Sequence, residues 1–172
     1  LKKMKNVGKI FEQDFAKSAP PYALLYRLPD AAQSFGGCNN LRFSSKSPFD
    51  YLLWDSSMRI LYALELKTVK GKSISFERTK EDHGEIHWYQ IAGLEKWSKY
   101  NGIAAGLIIE FRELETAVFI DIAEFKRLID VIPKKSFNFN DLETNNVKYT
   151  IIGQTKLRTR YRYDIDGFLK RQ

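Results

Sequence analysis

The stretch that most constrains how this chain can fold covers residues 47–67, where two short apolar segments are joined by a polar link. Asp50 stands at the start of the first segment, and Glu65 and Lys67 stand near the end of the second. The polar link between the segments is typical of a hairpin turn. Because alternate side chains of a strand point to one face, we expect Glu65 and Lys67 on one face, with Leu64 and Leu66 on the other. The hairpin would then bring Asp50 beside Glu65.

Such a group of charges indicates a metal-dependent nuclease. Two carboxylates can hold Mg²⁺ together with a phosphate and several waters. The ion polarises the scissile phosphate and lowers the pKa of a bound water. A lysine beside it can orient that water or offset the charge of the transition state. The spacing is loose, so the alternative is a set of solvent-exposed charges on an edge hairpin.

Length and composition indicate a folded, single-domain chain. The 172 residues fit one domain spanning residues 1–172, and 44% hydrophobic with 28% charged residues predicts a globular core. We expect no membrane span, since no run of about 18 apolar residues occurs, and no signal peptide is visible. Cys38 is the single cysteine, which excludes an internal disulfide and, with two histidines, disfavours a zinc site. These features predict a reducing, cytoplasmic location.

The distribution of charge favours a nucleic-acid partner. The formal net charge is +7. The surplus of Lys and Arg lies in residues 1–50 and 134–172, whereas residues 51–133 are slightly acidic. Central carboxylates flanked by phosphate-binding charge are typical of a metal-dependent enzyme of nucleic acid. The alternative is a soluble basic protein without that function.

The N-terminal third predicts a helix, a strand and an irregular segment. Residues 6–17 have an apolar stripe at helical spacing, with Asn6 as the cap. Residues 22–28 predict a strand that ends at Pro29. Residues 30–48 are rich in Gly, Asn and Ser and predict an irregular excursion or small hairpin, either functional or a plain surface loop.

The middle of the chain predicts one helix with an unexpected amide. After a polar loop over residues 68–84, residues 85–100 predict a helix whose apolar stripe contains Gln90. A buried amide must find hydrogen-bond partners. Gln90 is therefore either a satisfied core residue or a side chain that points into the active site.

The remaining segments alternate strand and helix. Residues 103–111 predict a buried strand, residues 117–120 the next strand, and residues 122–130 a helix. Residues 133–146 are polar and predict a loop.

The C-terminal segment predicts a basic strand. Over residues 156–163 the cations Lys156, Arg158, Arg160 and Arg162 alternate with other residues, so a strand would place all four on one face. Four aligned cations could follow a phosphate backbone. The alternative is an edge strand that charge protects from aggregation.

These motifs, taken in order, resemble the RecU-type Holliday junction resolvases, which belong to the restriction-endonuclease-like nucleases. The similar segments cover about residues 6–111: N-x-G-x-x-F-E at 6–12, Y-R-L-P at 26–29, S-P-F-D-Y at 47–51, L-E-L-K-T at 64–68, I-H-W-Y-Q at 86–90 and G-I-A-A-G-L-I-I at 102–109. Each motif is unspecific alone, but six in a consistent order are more specific. The segment after residue 111 is similar only loosely, around residues 162–169.

The resemblance implies a catalytic set and a cofactor. The catalytic residues that it implies are Glu12, Asp50, Glu65, Lys67 and Gln90. Asp50 and Glu65 would bind Mg²⁺, with Mn²⁺ able to replace it, and Lys67 would stand next to the attacking water. Arg27 would lie near the DNA. The basic residues expected to bind DNA are then Arg27, Arg42, Lys46, Lys156, Arg158, Arg160 and Arg162.

Two departures from the family bear on the substrate. The family has a serine or threonine pair before the aspartate, whereas Ser47-Pro48-Phe49 precede Asp50 here. Residues 30–48 are also shorter than the stalk that the family inserts into the junction. Both departures bear on how the chain would recognise a junction.

The sequence as a whole predicts an α/β fold with a restriction-endonuclease-like mixed central sheet flanked by helices. It predicts a Mg²⁺-dependent endonuclease that acts on branched DNA, resolves four-way junctions and forms a homodimer, since a two-fold dimer supplies two symmetric sites. The alternatives are another restriction-endonuclease-like nuclease, of restriction or repair, and a non-catalytic DNA-binding protein of the same fold.

Overall fold

The computed structural model describes residues 6–29 and 46–171. Their five helices, α1 to α5, are Val7–Lys17, Trp88–Ser98, Ile122–Val131, Phe139–Thr144 and Ile165–Leu169. Their ten strands, β1 to β10, are Ala23–Arg27, Tyr51–Asp55, Ile60–Val69, Ile74–Ser75, Ile103–Phe111, Thr116–Asp121, Ser136–Phe137, Thr150–Ile152, Gln154–Lys156 and Tyr161–Tyr163.

Six strands form one mixed sheet in the order β1-β2-β3-β5-β6-β8. The central pair, β3 and β5, is parallel, and the other neighbours are antiparallel. A parallel pair needs a crossover connection, which here contains α2. The sheet and its helices confirm the predicted α/β class with a mixed central sheet flanked by helices, and the restriction-endonuclease-like character of the sheet stays a prediction.

Helices cover both faces of the sheet. One apolar cluster joins α2 and α3 to the sheet through residues such as Leu94 and Phe125. The other joins α1 and α5 to the opposite face through residues such as Phe15 and Phe168. Strand β3 is therefore buried on both sides, so any charged side chain on its central part is removed from water.

Most predicted elements lie where the pattern placed them. Helix α1 begins after Asn6, whose side chain accepts a hydrogen bond from the Lys9 N–H at 3.3 Å. The strand predicted over residues 103–111 is β5. Helix α2 begins at Trp88 rather than at residue 85, because Ile86 forms a β-bridge with Phe76. That bridge and β4 also give structure to the segment predicted as the loop 68–84.

The prediction of a loop over residues 133–146 is wrong. This segment contains β7 and the short helix α4. The helix begins with a reciprocal pair of hydrogen bonds: Asn138 accepts from the Asp141 N–H at 3.0 Å, and Asp141 accepts from the Asn138 N–H at 2.7 Å. This box satisfies two backbone donors that a polar segment would otherwise leave to water.

The prediction of one basic strand over residues 156–163 is also wrong. The segment is a hairpin of β9 and β10 whose turn is closed by a hydrogen bond from the Leu157 N–H to the Arg160 carbonyl at 2.8 Å. Two buried contacts hold it to the domain. Arg160 donates to the buried Asp14 carboxylate of α1 at 2.6 Å, and the Tyr163 hydroxyl donates to the buried Glu110 carboxylate at 2.7 Å. The four cations therefore do not form a single row.

Three predictions concern the chain as a whole. Residues 30–45 lie outside the described residues, so the predicted stalk-like excursion stays a prediction. The assignment of residues 1–172 to one domain stays a prediction as well. Within the described ranges, none of the helices combines the length and apolar character needed to cross a membrane.

Candidate active site

The hairpin of β2 and β3 places Asp50 beside Glu65, as the sequence predicted. The Asp50 N–H donates to the Leu64 carbonyl at 3.1 Å, and the Leu66 N–H donates to the Asp50 carboxylate at 2.9 Å. The turn between the strands is held by the buried Asp55, whose carboxylate accepts the Ser57 N–H at 2.8 Å. Backbone pairing thus fixes the position of Asp50 against the end of β3.

Glu65 lies at the centre of the candidate active site. Its side chain is 1% exposed. One carboxylate oxygen, Oε1, accepts a hydrogen bond from Gln90 Nε2 at 2.5 Å and lies 2.9 Å from Lys67 Nζ. The other oxygen, Oε2, is buried and has no hydrogen-bond partner among the described residues. A buried carboxylate oxygen without a partner is costly, which marks this position as a place for a further ligand.

Burial and mutual repulsion disfavour the charged form of both acids. Burial, together with the Asp50 charge, raises the pKa of Glu65 to about 8, although Lys67 opposes the shift. Burial likewise raises the pKa of Asp50, where the Leu66 N–H opposes the shift and the Glu12 charge adds to it. Two acids that share one dry site need either a proton or a cation between them.

Gln90 reaches the site from the first turn of α2. While its Nε2 donates to Glu65, its Oε1 accepts the His87 N–H at 2.9 Å. The side chain is therefore both a satisfied amide and part of the candidate site, so the two interpretations of the sequence hold together. Helix α2 can lie this close because residue 93 is glycine: a Cβ there would stand 2.6 Å from the Pro48 Cβ.

Glu12 and Arg27 approach the site from α1 and β1. Arg27 Nε donates to Glu12 Oε2 at 3.1 Å. Both side chains act electrostatically on Asp50, the Glu12 charge raising its pKa and the Arg27 charge lowering it. The hydroxyl of Ser47 is directed elsewhere, because it donates to the Pro29 carbonyl. This hydrogen bond joins Ser47 to Pro29.

The residues present fit a Mg²⁺ ion. The unpartnered Oε2 of Glu65 and the adjacent Asp50 carboxylate are hard oxygen ligands. Among the described residues, no group of three or more His, Cys, Asp or Glu side chains is arranged to hold a metal, and the candidate site itself offers two carboxylates. Two carboxylates suffice for Mg²⁺, since this ion keeps several waters and commonly takes a substrate phosphate as a ligand.

The basic residues expected to bind DNA differ in their surroundings. Lys156 pairs with Glu115 at 2.6 Å, and Arg160 pairs with the buried Asp14. Arg158 and Arg162 are exposed and make no ion pair with any described residue. These two cations are therefore the members of the hairpin that are available to a phosphate backbone. Lys46 is exposed at the candidate site, and Arg42 lies outside the described residues.

Comparison with known proteins identifies a relative of prophage origin. No family model matches the chain. The SPbeta prophage-derived uncharacterized protein YotM of Bacillus subtilis (strain 168) is 33% identical over 132 residues, which cover 76% of this chain. The aligned part spans 63% of that protein's length.

Among solved structures, the fold is similar to that of Hjc, a Holliday junction resolvase of Archaeoglobus fulgidus. The TM-score is 0.48 at 14% identity, covering 80% of this chain and 93% of that chain.

Sequence reasoning missed an aromatic side chain in the site. Tyr89, next to Gln90, lines the cleft of about 240 Å³ that also contains Asp50 and Lys46. It lies two residues after His87, whose Nδ1 is 2.9 Å from Glu77 Oε1. The signal in the sequence was the run His-Trp-Tyr at the start of the predicted helix, which a search for carboxylates passes over.

Proposed function

We propose that this chain is a Mg²⁺-dependent endonuclease that resolves four-way DNA junctions by paired symmetric nicks, as RecU-type resolvases do. The observation that carries the proposal is the convergence of Asp50, Glu65 and Lys67 with an unpartnered carboxylate oxygen at a buried position. A purely structural ion pair between Lys67 and Glu65 would require neither the Asp50 carboxylate nor a buried Glu65 oxygen without a hydrogen-bond partner. This feature also disfavours the alternative of exposed charges on an edge hairpin.

Each side chain has a distinct part in this chemistry. Asp50 and Glu65 would hold Mg²⁺, which supplies polarisation of the phosphate and a bound water of lowered pKa. Lys67 lies close enough to Glu65 to place a positive charge where negative charge develops on the phosphate. Gln90 fixes the orientation of the Glu65 carboxylate, and the Leu66 N–H fixes that of Asp50. Glu12 adds negative charge near Asp50 and is itself balanced by Arg27.

The choice of substrate rests on the resemblance of the motifs over residues 6–111 and on the distribution of charge. The site is acidic, whereas the hairpin of β9 and β10 presents the exposed cations Arg158 and Arg162. A homodimer would supply two such sites for the two nicks that a nearly two-fold junction requires. A restriction or repair nuclease would use the same site on another DNA form, so the substrate has to be determined directly.

Cleavage of defined DNA substrates tests the proposal. The protein is incubated with a four-way junction, a fork, a flap and a linear duplex, each with Mg²⁺, with Mn²⁺ and with EDTA. We expect symmetric nicks in the junction that require the metal. Metal-dependent cleavage of all four forms alike would indicate a general nuclease, and binding without cleavage in any metal would indicate a non-catalytic DNA-binding protein.

A further inference from the structure

Tyr89 lines the candidate active-site cleft, but the chemistry above assigns it no part. The cleft is lined by Leu28, Lys46, Ser47, Phe49, Asp50, Tyr89 and Gln90. Most of the polar groups there already have a partner or a role: Asp50 accepts the Leu66 N–H, Gln90 donates to Glu65, and the Ser47 hydroxyl donates to Pro29. Tyr89 and Lys46 are the two donors in this cleft that remain to be explained.

The ring of Tyr89 is held in place by its neighbours. It stacks on the His87 ring, with 5.4 Å between the centroids and 11° between the planes. His87 Nδ1 lies 2.9 Å from Glu77 Oε1, and the buried Glu77 also accepts the Trp88 N–H at 3.0 Å. Lys46 Nζ lies 5.2 Å from the centroid of the Tyr89 ring. The position of the ring is therefore fixed before any substrate arrives, which favours a role in orienting a ligand.

The hydroxyl of Tyr89 has no hydrogen-bond partner among the residues that the structure describes. Burial raises the pKa of Tyr89, and the charges of Glu65 and Asp50 raise it further. The group therefore stays protonated and able to donate at the pH of a nuclease reaction. The Lys46 ammonium beside it is also a donor and has no ion pair with a described residue.

A ligand that suits these two donors must offer an anionic oxygen that only accepts hydrogen bonds. It must also reach a site whose carboxylates would hold a cation. A phosphodiester of the cleaved strand meets both conditions. We propose that Tyr89 binds this strand, its hydroxyl donating a hydrogen bond to a phosphate oxygen at or next to the scissile position, with the Lys46 ammonium on the same phosphate. This inference rests on the proposed nuclease function and adds a substrate-binding pair to it.

The substitution Tyr89→Phe removes only the hydroxyl and tests the inference. Because hydrogen bonds to charged groups contribute about 1.5–3 kcal/mol, single-turnover cleavage of the junction should fall by about 10- to 100-fold. The melting temperature should stay unchanged, since the hydroxyl has no partner inside the described part of the protein. Tyr100→Phe is the matched control, because Tyr100 is 60% exposed just beyond the C-terminal end of the same helix, and it should cleave at the wild-type rate.

A double-mutant cycle with Lys46→Ala then tests the shared phosphate. If both side chains contact one phosphate, the double variant should lose less than the product of the two single losses. Multiplicative losses would overturn the shared contact. Full activity of Tyr89→Phe would overturn the assignment of the hydroxyl, and so would a lowered melting temperature, which would show that the hydroxyl is used inside the protein.

Failure of the proposed function would have a different signature. A wild-type protein that cleaves no DNA in Mg²⁺ or Mn²⁺ would refute the nuclease proposal. In that case the affinity for the junction in Ca²⁺ still tests Tyr89: weaker binding by Tyr89→Phe than by Tyr100→Phe would support the contact, and equal binding would overturn it. A wild-type protein that binds no DNA would overturn both.

Discussion

Replacing Glu65 by Gln should make the metal-free protein more stable at alkaline pH. In the folded protein, burial raises the pKa of Glu65 from 4.5 to about 8, with the Asp50 charge adding to the effect. The folded state then binds the proton more tightly than the unfolded state, so the free energy of unfolding falls as pH rises from about 4.5 to about 8. Since one pKa unit corresponds to about 1.4 kcal/mol, the fall is on the order of 5 kcal/mol.

Glutamine keeps the shape of the side chain but never carries the charge. Its carbonyl oxygen can still accept from Gln90 and Lys67, and its amide N–H₂ can donate towards Asp50. We therefore expect equal stabilities of Glu65→Gln and wild type near pH 4.5 and a growing advantage of the variant up to pH 8. Urea unfolding in EDTA at pH 5, 6, 7 and 8 measures this difference. Glu113→Gln, at an exposed position, is the control and should follow wild type.

A constant difference between Glu65→Gln and wild type across this pH range would refute the reasoning, because Glu65 would then not be held neutral by its surroundings. The stabilisation of each protein by added Mg²⁺ provides a second test. Mg²⁺ at pH 8 should stabilise the wild type more than Glu65→Gln, since the ion replaces the proton between the two acids. Equal stabilisation of the two proteins would place the ion elsewhere.

Four further variants test the site and the hairpin. Asp50→Asn should abolish cleavage while DNA binding is kept or strengthened, because a charge that repels phosphate is lost; near-normal cleavage in a gel assay would contradict the metal assignment. Gln90→Leu should lose about 1–3 kcal/mol of stability, since His87 and Glu65 lose a partner, and single-turnover cleavage should fall by about 10²-fold; a destabilised variant with full activity would remove Gln90 from the site. Replacing Arg158 and Arg162 by Ala should reduce the slope of log K for DNA binding against log salt concentration by about 0.9 per lost phosphate contact. Arg160→Ala should instead mainly lower the melting temperature. An unchanged slope in the Arg158 and Arg162 variant would mean that these hairpin residues do not contact DNA.

The central features of the site could be predicted because they depend on short-range rules. Strand alternation places Glu65 and Lys67 on one face, and a polar turn between two apolar segments returns Asp50 to their side. The apolar stripe of the predicted helix also identified Gln90 as a polar residue on the face that meets the sheet. These inferences need only the period of a strand or a helix, which the sequence carries directly.

What the sequence could not supply depends on contacts between distant segments. The regular alternation of cations over residues 156–163 favours a strand, but Arg160 finds the Asp14 carboxylate on α1, and the chain turns there instead. Tyr89 stacks on His87, which is held in turn by Glu77 on an earlier segment without a clear periodic pattern. No local rule encodes either contact, because each requires the three-dimensional packing to be known first.

The hydrogen bond from Tyr163 to Glu110 has a consequence for shortened versions of the chain. Glu110 is 1% exposed in the middle of the sheet, where Thr68 is its other hydrogen-bonding neighbour at 2.8 Å. Deleting the residues from 154 onward to remove the basic hairpin would also uncover the aromatic cluster around Phe11 and remove the hydroxyl donor of the buried Glu110, leaving it with Thr68 and with Arg112 at 3.7 Å. Such a deletion would lose DNA binding by unfolding rather than by loss of charge, so point substitutions at the hairpin tip are the sound way to separate the two effects.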